Sequence, residues 1–268
     1  MPKKKDPSVT FLNQFGYNVV KLPRAGIEPL DVIGRDDATQ WLGPLASVWT
    51  SSVPVPTPLP PRPAAPVNGQ KTDHLQMTFG LKILANTLAA FGATVPALDV
   101  AYSRARRVQF SYTNVTSTVV PPLEAGNYLA AGTLNTANPV VRHYFTDEDP
   151  QAFLIVDVLK SDSLTVTATD DRGAEVGLDV PAIQGLVGAN VKVKTSGSSS
   201  STLTFTGPEA VTFGFVVDEI EYDGVRWSLR GAAPAGGLAF AAGAASAHAG
   251  AAVSDAPILL GSGCRVRI

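Results

Sequence analysis

Four stretches of this chain alternate apolar and polar side chains one by one. That pattern limits what the chain can fold into more than any other feature. Val108, Phe110 and Tyr112 alternate with Gln109, Ser111 and Thr113, and Leu164, Val166 and Ala168 with Thr165, Thr167 and Thr169. Val191 and Val193 alternate with Lys192 and Lys194, and Leu203 and Phe205 with Thr204 and Thr206. Successive side chains of a strand point to opposite faces. These runs therefore read as half-buried antiparallel strands with one apolar and one polar face. Residues 153–159 and 211–220 are more continuously apolar and read as strands buried on both faces. The strands follow one another through local loops without regular helical crossovers, which argues against a doubly wound sheet. The expected fold is α+β: a twisted, largely antiparallel central sheet with peripheral helices packed on it.

Helical and loop signals fill the rest. Residues 6–16 read as a short amphipathic helix, with Asp6 as N-cap, Pro7 first inside and Gly16 closing it. A β-rich run over 17–23 stops at Pro23. Residues 53–66 hold seven prolines, which marks a polyproline-type loop. It serves as a stiff exposed connection or, through Pro60, Pro61, Arg62 and Pro63, as a ligand for a partner. Leu75, Phe79 and Ile83, with Leu84 and Leu88, give a helix over 72–91, capped by Thr72 or Asp73 and closed by Gly92. From about residue 98 the period changes to two. Residues 181–188 read as a short helix with Pro181 at its start, and 197–201 as a flexible Gly/Ser turn.

After Trp227 the composition changes. Residues 231–254 are mostly Ala, Gly, Pro and Ser and bury too little area to order themselves. Ile258, Leu259, Leu260, Val266 and Ile268 follow and need an apolar surface. A flexible linker ending in a sticky peptide is a tether for an intramolecular ligand; the competing reading is a frayed terminus. The chain thus divides into a main domain over 1–228, a Gly/Ala-rich linker over 229–250 and a terminal peptide over 251–268.

Several functions are disfavoured. The formal net charge of −2 gives no footing for nucleic acid, which attracts a basic excess. No apolar run of signal-peptide length follows the basic start, so no secretion signal is expected. The apolar composition offers no helix of about 20 residues to cross a bilayer. A single cysteine, Cys264, rules out an intrachain disulfide. His74, His143 and His248 lack companions at metal-ligand spacing, and no nucleophile elbow, phosphate loop or zinc-protease motif is present. Cys264 with His143 is the one nucleophile–base pair conceivable. Asp170, Asp171 and the run 147–149 read as acidic turns. No catalytic site, metal or cofactor is expected.

Two regions carry a resemblance. Residues 15–24, Phe-Gly-Tyr-Asn-Val-Val-Lys-Leu-Pro-Arg, followed by 26–34, Gly-Ile-Glu-Pro-Leu-Asp-Val-Ile-Gly, resemble the N-terminal signature of bacterial gasdermins. The layout from 152 through 220 is similar to the gasdermin pore-forming domain, so the resemblance covers about residues 6–225. It implies a non-enzymatic protein, monomeric and cytoplasmic while a short C-terminal peptide keeps its sheet closed. An activating protease removes that peptide. The domain then enters the inner (plasma) membrane as amphipathic hairpins and self-assembles into a large β-barrel pore that kills the cell in antiphage defence. Many members carry an acylated cysteine near the N-terminus; this chain has Lys3, Lys4 and Lys5 there.

The residues suit that mechanism. A membrane strand needs about 9–11 alternating residues, and 104–116, 163–169 and 191–206 supply alternation in shorter runs that need their flanks. Only a closed barrel satisfies every backbone group in lipid, so assembly of several copies is required. Lys3, Lys4, Lys5, Arg104, Arg106 and Arg107 are candidate contacts for anionic lipid headgroups. Cutting is expected within 226–252, after Arg226 or Arg230 by a trypsin-like protease or beside Leu238 or Phe240 by one preferring apolar residues. A different class stays open: a soluble β-rich binding or structural module with a flexible tail.

Overall fold

The structure is a computed structural model that describes residues 12, 16–36, 39–65, 67–72, 74–93, 98–147, 150–196, 200–223, 225–230 and 259–260. Two very long strands organise it: β10, Gln151–Thr169, and β12, Thr202–Tyr222. They run antiparallel along their lengths, from Ala152 against Ile220 to Thr167 against Thr202, and form the spine of a 12-stranded sheet. The two apolar runs at 153–159 and 211–220 are therefore halves of longer strands. Around Lys160–Ser163 the pairing shifts register without breaking. There the Ser161 hydroxyl donates to the Thr113 carbonyl and accepts from the Ser163 amide, so the irregular backbone is bonded.

Shorter strands flank this spine. Beside β12 lie β13, Trp227–Arg230, then β1, Asn18–Arg24, then β11, Lys192–Thr195. Beside β10 lie β2, Asp31–Arg35, then β8, Thr116–Val119, then β7, Arg107–Thr113. An outer tier completes that side: β3, Thr39–Pro44, on β2; β5, Arg62–Pro63, on β8; and β6, Leu75–Gln76, on β7. A separate pair joins β4, Trp49–Ser51, to β9, Gly132–Leu134. At the outer edge of β1 lies β14, Leu259–Leu260, with Val19 opposite Leu260 and Val20 opposite Leu259.

Six helices are described: α1 Leu45–Val48, α2 Met77–Ala90, α3 Leu98–Ala101, α4 Pro122–Ala130, α5 Pro139–Thr146 and α6 Val180–Val187. The architecture is the expected α+β one, a large antiparallel sheet with helices around it. Helix α6 starts as expected, with Pro181 in its first turn and the Asp179 carboxylate accepting from the Ala182 amide at 3.1 Å.

Three local expectations are corrected. The helix over 72–91 begins only at Met77; its N-cap is Gln76, with no side-chain cap bond. Thr72 serves the sheet instead: its amide donates to the Phe110 carbonyl at 2.8 Å and its hydroxyl accepts from the Phe110 amide at 3.0 Å. The proline loop is more than a spacer, because Arg62–Pro63 pairs with β8 and the Leu59 amide donates to Val119. Period two begins at 107, not 98, since 98–101 is helical. Gly16 and Gly92 take φ of 81° and 83°, the left-handed geometry of a helix end. The N-cap assigned to Asp6 lies outside the described residues.

Candidate functional site

Register decides what the upper part of the sheet can do. Strands β7, β10, β12 and β11 lie side by side in that order, every neighbouring pair antiparallel. Tyr112 faces Leu164, Leu164 faces Phe205 and Phe205 faces Val193. In the next apolar row Phe110 faces Val166 and Val166 faces Leu203, and Val108 faces Ala168 beyond it. Nine of the ten apolar residues singled out as inserting candidates thus meet in cross-strand rows on one face. The tenth, Val191, is buried one residue before β11. Val108, Leu164, Val166, Ala168, Leu203 and Phe205 show no exposure at all.

The opposite face is polar. Ser111, Thr165, Thr204 and Lys194 form one row, and Gln109, Thr167 and Thr202 another. Threonine hydroxyls bridge the strands, Thr165 to Thr204 at 2.9 Å and Thr167 to Thr202 at 3.0 Å. Such cross-strand pairs each add about 0.2–1 kcal/mol. The apolar face is covered by helices. A Cβ on Gly80 of α2 would lie 1.9 Å from Val108 Cγ2, so only glycine permits that approach. Ile183 and Val187 of α6 join the same core, and Tyr112 stacks on Phe213 with centroids 3.9 Å apart.

Both outer edges of this four-strand unit are occupied. Along β7 the covering is main chain: the amides of Ala64, Gly69, Thr72 and Met77 donate to the carbonyls of Val115, Tyr112, Phe110 and Arg106. Along β11, among the described residues, it is one side chain. Gln184 of α6 accepts from the Val193 amide at 2.9 Å and donates to the Val191 carbonyl at 3.0 Å and the Gly188 carbonyl at 2.9 Å.

The lower sheet, built from 151–161 and 211–222, contains a buried carboxylate that alternation did not reveal. Asp157 accepts from the Tyr17 hydroxyl at 2.6 Å and the Ser117 hydroxyl at 2.7 Å. Burial pushes its pKa up to about 6 against those two donors, and pushes the Tyr17 phenol up as well. The bond ties the residue preceding β1 to the spine. The signal was legible: Asp157 is the only charge in the apolar run 153–159. Gln184 and Thr72 carried no such signal.

The remaining candidates are scattered. Arg104, Arg106 and Arg107 are exposed around the start of β7. Arg106 and Arg107 line a cavity of about 600 Å³ with His74, Gln76, Met77 and Asp171. Arg230 lies in β13 opposite Glu219 and donates to Glu221 at 2.8 Å. The Arg226 amide donates to the Asp223 carboxylate in the preceding turn at 2.8 Å. Trp227 anchors this strand against Trp49, with centroids 5.4 Å apart, and against Phe145 at 5.8 Å. Of the tail anchors, the backbone of Leu259 and Leu260 pairs with β1. Ile258, Val266 and Ile268, the cleavage candidates Leu238 and Phe240, and Lys3, Lys4, Lys5, Cys264 and His248 lie outside the described residues. His143 sits exposed between Asp147 at 2.9 Å and Asp36 at 3.2 Å, hydrogen bonds that raise its pKa. Among the described residues no cluster of potential ligands could hold a metal ion, and no helix is long and apolar enough to cross a membrane.

The sequence matches the Bacterial Gasdermin Family over residues 20–231. The Gasdermin bGSDM of Vitiosangium sp. (strain GDMCC 1.1324) is 39% identical over 217 residues, 80% of this chain and 81% of that protein. The Gasdermin bGSDM of a Desulfuromonadales bacterium is 32% identical over 228 residues, 84% of this chain and 85% of that one. A solved bacterial gasdermin from Bradyrhizobium tropiciagri shares the fold, with a TM-score of 0.59 over 85% of this chain and 91% of its own at 17% identity. A family match over residues 20–231, and a relative this similar over four-fifths of both lengths, place the chain in the bacterial gasdermin family.

Proposed function

We propose that this chain is an autoinhibited pore former, opened when a protease removes its C-terminal peptide and acting in the inner membrane to kill the cell during phage defence. Family membership supports pore formation in general, and gasdermins are not an enzyme family. The observation that carries the finer reading is the order β7, β10, β12, β11, with its apolar rows on one face and threonines on the other. Four antiparallel strands are an even number. Head-to-tail repetition of the unit therefore keeps every neighbour antiparallel and closes a barrel without an edge, as lipid demands. The apolar face, now under α2 and α6, would face lipid, and the Thr and Lys face would line the lumen. Strand β7 has seven residues and β11 four, short of the roughly 9–11 a bilayer needs. Flanking residues must join them, 102–106 before β7 and 188–191 with 196 beside β11, so opening lengthens both strands at the expense of turns.

The tail peptide acts as the lock by occupying β1, which an unpaired edge strand would otherwise offer to another chain. Its pairing as β14 supports this role. The cut falls in 231–252, which keeps Leu238 and Phe240 as candidates. Arg226 and Arg230 are held in a bonded turn and a paired strand, and proteolysis follows the bonding of the backbone attacked. Anionic lipid headgroups would meet Arg104, Arg106 and Arg107 at the tip of the sheet, with Lys3, Lys4 and Lys5 adding charge. Before the cut the chain is a cytoplasmic monomer; afterwards it is a large homo-oligomer.

The test uses the full chain with the recognition sequence of a specific protease substituted into 241–247, mixed with dye-loaded anionic liposomes. Leakage only after cutting is the expected result. No leakage from a cut chain that remains folded would replace this reading with a β-rich binding module. Leakage before cutting would keep the pore and remove the tail as its lock.

A further inference from the structure

The two edges that successive copies must join are guarded very differently. Strand β7 is covered by a length of main chain from Ala64 to Met77. Strand β11 is covered by the Gln184 amide, which takes the outward Val193 N–H and Val191 C=O much as a neighbouring peptide group would. Gln184 is half-buried on α6, and its own carbonyl caps the helix by accepting from the Gly188 amide at 3.2 Å. One side chain therefore fastens the helix to the strand it covers. Unpaired edges are templates for another chain, and folded proteins block them with side chains or loops.

We propose that Gln184 is the edge guard of β11: its side-chain amide holds the place of a second copy of this chain and must let go before that copy's β7 can pair there. The proposal rests on the pore reading above and adds to it the residue that sets how readily one edge opens. Because one side chain is weaker than a bonded segment, the β11 edge opens first, in an equilibrium that sets how many ends are ready to accept the β7 of an incoming copy. Gln184 is a positioning residue, with no contact to lipid or partner once released.

The test is Gln184→Met in the same cuttable full chain; it keeps the stem and loses all three side-chain bonds. Gln184→Glu is the second variant. It keeps the acceptor for Val193 but sets a carboxylate oxygen against the Val191 and Gly188 carbonyls. Before cutting, exchange of the Val193 amide is expected to rise about fivefold in Gln184→Met, as for the loss of one net hydrogen bond, with the Leu154 amide in β10 unchanged. After cutting, leakage of anionic liposomes is expected to start about fivefold sooner at the same plateau. Ile183→Val, which loosens the same helix without touching the edge, is the control. Unchanged Val193 exchange in both variants overturns the guard. So does faster exchange with unchanged leakage onset, or an equal acceleration by Ile183→Val at matched thermal stability. A parent chain that never leaks when cut overturns the pore reading and the guard together. A parent that leaks at the pace of both variants overturns the guard alone.

Discussion

The lower and upper halves of one continuous pair of strands are built to opposite ends. Below the register shifts near Ser161, residues 152–159 of β10 and 211–218 of β12 are buried without interruption, with Leu154 and Val158 fully enclosed and apolar clusters on both faces. Above them, buried and half-exposed residues alternate through 164–168 and 202–206. A strand buried on both faces can leave its neighbours only by unfolding. A strand unit with one solvated face loses its helix cover and the bonds along its outer edges when it leaves, and keeps the cross-strand bonds within the unit. The difference teaches which part of this gasdermin stays a scaffold and which part is free to move.

The sharpest way to break that comparison is to remove buried volume from the lower half. Leu154→Ala deletes a fully enclosed side chain between β2 and β12 and should cost about 2–5 kcal/mol. Urea unfolding should show one cooperative loss of the whole domain. Native-state hydrogen exchange of the parent should meanwhile place the amides of Phe110, Val166 and Leu203 in an opening reached at lower free energy than those of Leu154 and Val217. Equal exchange free energies would show that the sheet opens as one unit and that the halves do not differ.

A smaller effect is expected where the upper half meets its helix. Gly80→Val places atoms where Val108 already sits and should cost about 1–3 kcal/mol of overpacking. The loss should appear as faster exchange in α2 and β7, with Leu154 spared. Spread of the effect into the lower half would mean that α2 supports the scaffold too.

How much of this was legible follows the same division. Thr165 and Thr167 beside Leu164 and Val166 announce a two-faced strand because period two has no other cause. The unity of β10 was hidden by Lys160, Ser161, Asp162 and Ser163, four polar residues that read as a break. In the fold Ser161 bonds across the shift and the strand continues. Helices α4 and α5 went unread because Gly126 and Asn127, and the β-branched Val140 and Val141, blur helical propensity. Asn138 and Pro139 were there to mark the start of α5, and Asn138 does accept from the Val140 amide at 2.9 Å. The edge roles of Thr72 and Gln184 depend on which strand lies beside them. No local pattern encodes that.

The smallest effect expected comes from a carboxylate inside the scaffold, the buried Asp157. Its pKa in the folded chain is raised from 3.8 to about 6 by burial, so the folded state holds a proton that the unfolded state has released. The stability this group contributes is complete below pH 3.8 and is lost as pH rises through about 6, because stability falls with pH wherever the folded state binds more protons. Glu219 and Asp31 are shifted upward by burial too, so the slope of the parent alone does not isolate Asp157. The difference between parent and Asp157→Asn does. Urea midpoints at pH 4.5 and 7.0 should show the parent losing about 1–2 kcal/mol more than the variant on going to the higher pH. Tyr17→Phe removes a donor that favours the ionised carboxylate, so it should move that loss to lower stability at pH 7.0 while sparing pH 4.5. Identical slopes in parent and Asp157→Asn would mean that water reaches the carboxylate, and the lower sheet would then be no drier than the strands above it.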